Sequence, residues 1–169
     1  EYHLRWFLLN QKNGVNIENI SDKVNGFQIA GPNSRKLLQK VTNFSLEDFK
    51  FRDAHTILVG NISCLVQRVS YTGDLGFEIY CGPNKQCDLW EVLWSAGAEF
   101  DIKPFGMRAM MSLRLDKFFG SWLSEFSPDY TPAETGLDKF INFKKDYDFI
   151  GRSAAYAEHI NGCKRKLCI

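Results

Sequence analysis

The dipeptide Gly60-Asn61 restricts the fold more than any other feature, because it separates two short apolar runs by a single tight turn. The runs are HTILV at 55–59 and ISCLVQRV at 62–69. Glycine and asparagine between apolar runs are typical of a β-hairpin turn. The two runs are therefore predicted to be the two antiparallel strands of a hairpin.

The stretch SYTGDLGFEIY, residues 70–80, joins a glycine-rich turn to an alternating run. Side chains alternate along a strand, so Phe77 and Ile79 share one face while Glu78 and Tyr80 share the other. The two glycines allow a tight turn or a close approach of the backbone to a neighbour. The pattern predicts a carboxylate held at the start of a strand, beside a flexible loop.

Strands and helices are interleaved along the rest of the chain, with Asn33 as the predicted N-cap of one helix. This arrangement favours an α+β fold, with antiparallel sheet and packed helices, over a doubly wound sheet. The predicted strands are 26–30, 77–81, 137–143 and the tail 164–169, and the predicted helices are 1–9, one starting at Asn33, 86–96, 106–119 and 151–160.

Composition excludes several classes of function. The net charge is +1, which does not favour nucleic acid or a membrane surface as a partner. The sequence has no apolar run of about 18 residues and therefore predicts no membrane-spanning helix. It has 5 cysteines and no C-x-x-C pair, so reduced thiols are predicted rather than a disulfide framework or a zinc site.

The common catalytic motifs are absent: there is no G-x-S-x-G elbow, P-loop or G-x-G-x-x-G. A carboxylate can read the N–H and NH2 edge of a guanidine-like heterocycle through two charge-assisted hydrogen bonds, and a tyrosine ring can flank a flat ligand. Glu78 and Tyr71 suit those roles, but a solvated strand residue and a partly buried ring would look the same. The candidate polar residues are Tyr71, Asp74, Glu78, Arg108, Arg114, Asp116 and Glu134.

Five blocks in order, covering roughly residues 27–155, resemble the folate-binding domain of the aminomethyltransferase family, the glycine cleavage T-proteins. The family pattern Y-T-G-E-x-G-F/Y-E-I corresponds to residues 71–79, and its S-L-R-L-E-K helix corresponds to residues 112–117. The five blocks are FQIAGPNSRKLL, SYTGDLGFEIY, GMRAMMSLRLDKFFGSW, DYTPAETGLDKFINF and DFIGRSA.

The later blocks are more similar to the folate domains fused behind a flavin oxidoreductase, as in dimethylglycine and sarcosine dehydrogenases. This resemblance implies capture of a methylene unit by tetrahydrofolate to give 5,10-methylenetetrahydrofolate. It implies that Glu78 binds the pterin ring and that Tyr71 flanks the folate. It further implies that residues 1–155 are part of the folate-binding domain and that 156–169 begin a connection to a C-terminal domain.

The sequence departs from the T-protein pattern at Met110, where T-proteins carry a folate-contacting arginine. The dehydrogenase relatives also lack that arginine. The family's catalytic aspartate would precede Glu1, and no initiator methionine is present, so the chain is expected to be a piece of a longer enzyme. No catalytic residue and no metal ligand is therefore predicted here, and whether the chain by itself is an enzyme stays open.

Two other functions stay open at this point. The first is the aminomethyltransferase of the glycine cleavage system, which takes its one-carbon unit from a lipoyl arm. The second is a non-catalytic scaffold protein with the folate fold, although its K-G-C-F/Y-x-G-Q-E motif is absent. The expected partners are folate, a small methylated-amine-derived donor, and FAD only in a flavoprotein part of the parent chain. The expected location is the cytoplasm or the mitochondrial matrix.

Overall fold

The Gly60-Asn61 hairpin is present and forms half of a four-stranded antiparallel sheet, in a computed structural model that describes residues 2–168. Gly60 has φ +58° at the first turn position, a conformation that glycine adopts without strain, and Val59 pairs with Ile62 across the turn. The strands are β1 (Asn25–Ala30), β2 (Ala54–Val59), β3 (Ile62–Gln67) and β4 (Gly76–Cys81).

The strand order is β1-β4-β3-β2, so β4 pairs with β1 on one side and with β3 on the other. Ile79 of β4 lies opposite Phe27 on β1 and Val66 on β3. Phe77 and Ile79 are fully buried, as the alternation predicts. The predicted α+β class with an antiparallel sheet is confirmed.

The chain divides into two compact units, residues 1–107 and 108–169. The helices of the first unit are α1 (Tyr2–Leu9), α2 (Ser34–Lys40) and α3 (Gln86–Gly97). In this unit α2 contacts β4, α3 contacts β1, and α2 and α3 contact each other, so that they cover one face of the sheet. The side chains between helices and sheet form one apolar core that includes Phe49, Leu38 and Leu89.

The second unit is helical and irregular. It contains α4 (Met107–Leu115) and α5 (Arg152–Asn161). Met107, the first residue of α4, is counted with the first unit. The predicted helix 106–119 ends early because the backbone reverses at Phe118, which has φ +58°. The Phe119 N–H donates to the Arg114 carbonyl at 3.0 Å in that turn.

Two predicted strands of the second unit are wrong. Residues 137–143 contain a 3₁₀ helix, Asp138–Phe140, because Leu137 and Asp138 both donate their N–H to the Pro132 carbonyl, at 2.8 and 3.1 Å. The described part of the tail, 164–168, joins no sheet. Its Leu167 N–H donates to the Glu134 carbonyl at 2.7 Å, and Ile169 lies outside the described residues.

Asn33 occupies the N-cap position of α2, as predicted, but makes no side-chain capping bond. Trp90 of α3 is 39% exposed. Its ring is stacked on Trp94 with centroids 5.3 Å apart, so the two rings cover each other along one side of the helix.

The buried thiols of the sheet should resist alkylation in the native protein. Burial and the neighbouring Cys81 raise the pKa of Cys64 to about 11, and burial raises the pKa of Cys81. The thiolate is the reactive form, and Cys87 and Cys168 are exposed. We expect iodoacetamide to label Cys87 and Cys168 first, with Cys64 and Cys81 labelled only in denaturant, as read by peptide mass mapping. Native labelling of Cys64 as fast as that of Cys87 would contradict the buried position.

Candidate functional site

Glu78 lies at the centre of a polar row that crosses the sheet. Its strand partners are Gln28 on β1 and Gln67 on β3, and all three side chains are half-buried. Directly paired residues of an antiparallel sheet share a face, and this one is opposite to the face covered by α2 and α3. We call it the open face, defined by Gly26, Gln28, Leu65, Gln67, Glu78 and Tyr80.

The Glu78 carboxylate is held by a tyrosine of the same strand. The Tyr80 hydroxyl donates to Glu78 Oε2 at 2.5 Å. Burial, together with the bond to Glu78 and its charge, raises the pKa of Tyr80 to about 12. The phenol therefore keeps its proton through the neutral range and remains a donor to the carboxylate.

The loop that carries Tyr71 is tied to this polar row. Ser70 Oγ accepts a hydrogen bond from Gln28 Nε2 at 3.1 Å and lies 2.7 Å from Thr72 Oγ1. Gly73 closes the turn by donating its N–H to the Ser70 carbonyl at 3.3 Å. Tyr71 itself is half-buried. Tyr71 and Glu78, the two predicted binding residues, therefore belong to the same unit. Gln28 links their segments, because it pairs with Glu78 in the sheet and donates to Ser70, which precedes Tyr71.

Gly76 is the point where this loop meets the sheet. A Cβ there would lie 2.7 Å from the Ile29 carbonyl oxygen and 2.8 Å from Ser70 Cβ, closer than real contacts allow. Ser34 Oγ on α2 donates to the Leu75 carbonyl at 2.9 Å, which fixes the residue before it. The close approach expected of the glycines is present here, because only glycine lets the loop pass so near β1.

Arg114, a candidate in the second unit, has a structural role. Its side chain is buried, donates to the Phe119 carbonyl at 2.6 Å, and pairs with both carboxylate oxygens of Glu125 at 2.9 and 3.3 Å. Glu125 also accepts from Ser124 Oγ and from the Ser121 N–H. These bonds lower the pKa of Glu125 to about 2, with Ser124 and Ser121 as the largest causes.

Glu134 is likewise engaged within the second unit. Its carboxylate accepts the Thr131 N–H at 3.1 Å while the Glu134 N–H donates to Thr131 Oγ1 at 3.3 Å, which is a capping box on a single helical turn. Arg165 pairs with the same carboxylate at 2.8 and 3.2 Å and lowers its pKa. The T-P-A-E motif thus anchors the tail to this turn.

The remaining candidates are exposed. Asp74, Arg108 and Asp116 have exposed side chains in their own units, and none of them is assigned a role. Within residues 2–168 no group of three or more His, Cys, Asp or Glu side chains is arranged to hold a metal ion. In the same range, the helices lack the length and apolarity needed to cross a membrane.

Sequence reasoning overlooked Gln28 and Gln67 and gave Tyr80 no role. The alternation already put Tyr80 on the same face as Glu78, which was the available signal. Gln28 breaks the apolar strand GFQIA, and a polar residue in the middle of a strand marks an open face. The pairing of β1 with β4 carries no local sequence signal.

The row presents hydrogen-bonding groups that are complementary to a flat, polar heterocycle. A carboxylate with one oxygen bonded to Tyr80 still has lone pairs to accept N–H groups of a ligand, and the flanking amides can donate or accept. Leu65, which lies opposite Tyr80 and is 40% exposed, adds an apolar surface beside the row. A ligand with adjacent N–H donors on a planar ring matches this combination of groups.

These features define an α+β domain with a carboxylate, Glu78, on the open face of its sheet. The chain belongs to the GCVT N-terminal domain family, whose model matches residues 1–145. It is 39% identical to human mitochondrial dimethylglycine dehydrogenase over 98% of this chain and 20% of that protein. It is 40% identical to an aminomethyltransferase of Thermoanaerobacter sp. (strain X514) over 90% of this chain and 42% of that protein.

Among solved structures, the chain is similar to a heterotetrameric sarcosine oxidase from Corynebacterium sp. U-96, with a TM-score of 0.49 and 20% identity. That similarity covers 59% of this chain and 51% of the oxidase chain. The chain thus spans about a fifth of the human dehydrogenase and less than half of the bacterial aminomethyltransferase.

Proposed function

We propose that this chain is the tetrahydrofolate-binding portion of an enzyme that transfers one-carbon units, of the dimethylglycine or sarcosine dehydrogenase type. The parent enzyme would capture a methylene unit from a small methylated amine and give 5,10-methylenetetrahydrofolate. The single observation that carries the proposal is the family match over residues 1–145, within which Glu78 stands on the open face of the sheet.

The chemistry of the site supports a pterin as the ligand. Tetrahydrofolate would supply the nitrogen that accepts the one-carbon unit, and the protein's part is to bind and orient it. Glu78 would accept hydrogen bonds from the adjacent N–H and NH2 groups of the pterin ring. Tyr71 would flank the folate, from a loop that Ser70 and Gln28 tie to the polar row.

Met110 favours the dehydrogenase type over the aminomethyltransferase. T-proteins carry a folate-contacting arginine at this place in the family pattern, whereas the dehydrogenase relatives lack it. Met110 is a half-buried residue of α4. Sequence identity does not distinguish the dehydrogenase from the aminomethyltransferase, since this chain is 39% identical to the first and 40% identical to the second. The aminomethyltransferase of a glycine cleavage system is therefore the second candidate.

The proposal carries an expectation for the parent protein. A dehydrogenase type requires a flavin to oxidise the amine, so FAD would be bound by a flavoprotein part of the same parent chain. The aminomethyltransferase alternative requires a lipoyl-bearing partner instead. A mitochondrial matrix or cytoplasmic location fits both proposals, and the human relative is named as mitochondrial.

The direct test is a calorimetric titration of tetrahydrofolate into the full-length protein under anaerobic, reducing conditions. Saturable binding with one site per chain supports the proposal. An absence of binding to a protein that melts cooperatively would reject it. Addition of dimethylglycine or sarcosine with an electron acceptor, and assay of 5,10-methylenetetrahydrofolate, then separates the dehydrogenase from the aminomethyltransferase.

Replacing Glu78 with glutamine should weaken tetrahydrofolate binding by about 1–3 kcal/mol, a factor of roughly 5 to 150 in Kd, because a charge-assisted hydrogen bond is lost. Glu91→Gln on α3 is the matched control, since that glutamate is exposed. It should bind as the wild type does. Unchanged affinity in Glu78→Gln, measured by the same titration, would remove Glu78 from the pterin site.

A further inference from the structure

The bond between Tyr80 and Glu78 is short and joins two half-buried side chains of one strand. At 2.5 Å it has the length of a charge-assisted O–H···O bond. Glu78 and Tyr80 stand two residues apart on β4, so their side chains leave the sheet on the same face. The Tyr80 hydroxyl therefore holds one carboxylate oxygen in place, and this restrains the rotamer of the Glu78 side chain.

The Tyr80 ring lies over Gly26 of the neighbouring strand. Gly26 on β1 pairs with Tyr80, and a Cβ at residue 26 would lie 2.7 Å from Tyr80 Cδ1 and 3.1 Å from Cε1. The 2.7 Å contact is closer than real Cβ atoms come to a neighbour, so the ring occupies the space that a side chain at residue 26 would need. Leu65 is the Cα partner of Tyr80 on the other side, on β3.

The amides of the polar row frame the carboxylate without bringing an opposite charge. Gln28 and Gln67 are the direct strand partners of Glu78, and Gln28 is itself bonded to Ser70. The hydroxyl of Tyr80 is the side-chain donor that the structure shows on Glu78. The orientation of the Glu78 carboxylate therefore depends on the hydrogen bond from Tyr80. Gln28 and Gln67 are neutral amides and form no salt bridge with it.

We propose that Tyr80 is the positioning residue of the pterin-binding carboxylate: its hydroxyl holds one oxygen of Glu78 so that the other faces the ligand. This inference rests on the proposed function. A side chain fixed before binding loses less conformational freedom when the ligand arrives, so its hydrogen bonds contribute more to affinity. Gly26 serves the same arrangement by leaving room for the ring.

The first test is Tyr80→Phe in the full-length protein, which keeps the ring over Gly26 and removes only the hydroxyl. We expect the Kd for tetrahydrofolate to rise about three- to tenfold, the effect of losing one hydrogen bond. Tyr147→Phe, at a tyrosine that is 66% exposed, is the matched control and should leave the Kd unchanged.

A double-mutant cycle separates positioning from a general structural role. If Tyr80 acts through Glu78, then Tyr80→Phe should cause no further loss of affinity in a Glu78→Ala background. Equal losses in both backgrounds, titrated to millimolar tetrahydrofolate, would overturn the inference. A third variant, Gly26→Ala, moves the ring and keeps the hydroxyl, and it should weaken binding in the wild type but add nothing to Tyr80→Phe.

The outcomes distinguish a failure of the proposed function from a failure of the positioning role of Tyr80. If the wild type does not bind tetrahydrofolate, the proposed function fails. If the wild type binds and Glu78→Ala weakens binding, but Tyr80→Phe binds as tightly as the wild type, only the positioning role fails. The expected result is loss in Tyr80→Phe that disappears when Glu78 is absent.

Discussion

Replacing Phe77 with alanine is expected to lower the free energy of unfolding by about 3–5 kcal/mol. Phe77 is fully buried near the start of β4, an inner strand of the sheet, and its ring is stacked on Phe49 with centroids 5.7 Å apart. The Arg35 guanidinium lies 5.8 Å from the centre of the same ring. Alanine would leave a cavity against Phe49 and would take away the ring on which this guanidinium rests.

The measurement is equilibrium unfolding in urea with the full-length protein, compared with Phe51→Ala. Phe51 lies in the same unit but is 68% exposed, so its removal should cost less than about 1 kcal/mol. The urea dependence of the unfolding free energy should not change in either variant. A similar loss in both variants would show that the side chain of Phe77 does not fill the core.

Replacing Arg114 with alanine should have the next largest effect, about 3 kcal/mol. Removing one partner of a buried ion pair leaves an uncompensated charge, and here that charge is Glu125. The Phe119 carbonyl would lose its donor as well. We place the value at the low end of the usual range because the Glu125 side chain is 24% exposed and water can reach it.

The pH dependence of this effect follows from Glu125. Its pKa is lowered from 4.5 to about 2 in the folded protein, so the carboxylate stabilises the fold above pH 4.5 and this stabilisation is lost as the pH falls toward 2. Ser124 and Ser121 are the largest causes of that lowering and remain in Arg114→Ala, so only the part of the pKa shift due to Arg114 enters the difference between the two proteins. That difference should be greatest at neutral pH and become smaller between pH 4.5 and 2.

Lys103→Ala is the control for this pair. Lys103 and Asp101 form an ion pair with side chains that are 73% and 84% exposed, and such pairs contribute little. The variant should lose less than about 0.5 kcal/mol at any pH. If the loss in Arg114→Ala were as small, or did not change with pH, the buried pair would not stabilise the second unit.

The sheet was predictable where the signal was local. The hairpin at Gly60-Asn61 and the burial of Phe77 and Ile79 follow from a turn dipeptide and a two-residue period, and both are present. The pairing of β1 with β4 could not be predicted in this way. Long-range strand pairing depends on the whole core, and no short motif specifies it.

The two wrongly predicted strands lie in the second unit, where local hydrogen bonds replace a sheet ladder. The run 137–143 has the composition of a strand, but the Pro132 carbonyl takes two of its N–H groups and Gly136 turns the chain with φ +72°. The motif T-P-A-E was included among the candidates for its glutamate. A capping box, readable from the T-x-x-E spacing, accounts for Glu134 without any ligand.

The candidate site was predictable in part. Alternation assigned Glu78 and Tyr80 to one face, and the family pattern singled out Glu78 and Tyr71. The bond from Tyr80 to Glu78 depends on rotamers, and the room for its ring depends on Gly26, some fifty residues earlier in the chain. The roles of Tyr71 and Glu78 as folate ligands stay predictions for the titrations described above.

The strand order also sets the sequence of events during synthesis. β1 leaves the ribosome before its sheet partner β4, whereas β2 and β3 meet through a local turn. Chains emerge from the N-terminus, so β2 and β3 can pair before β4 has been synthesised and can pair with β1. A nascent chain that paused before Gly76 would carry an unpaired strand edge, the kind of surface to which chaperones and foreign strands attach.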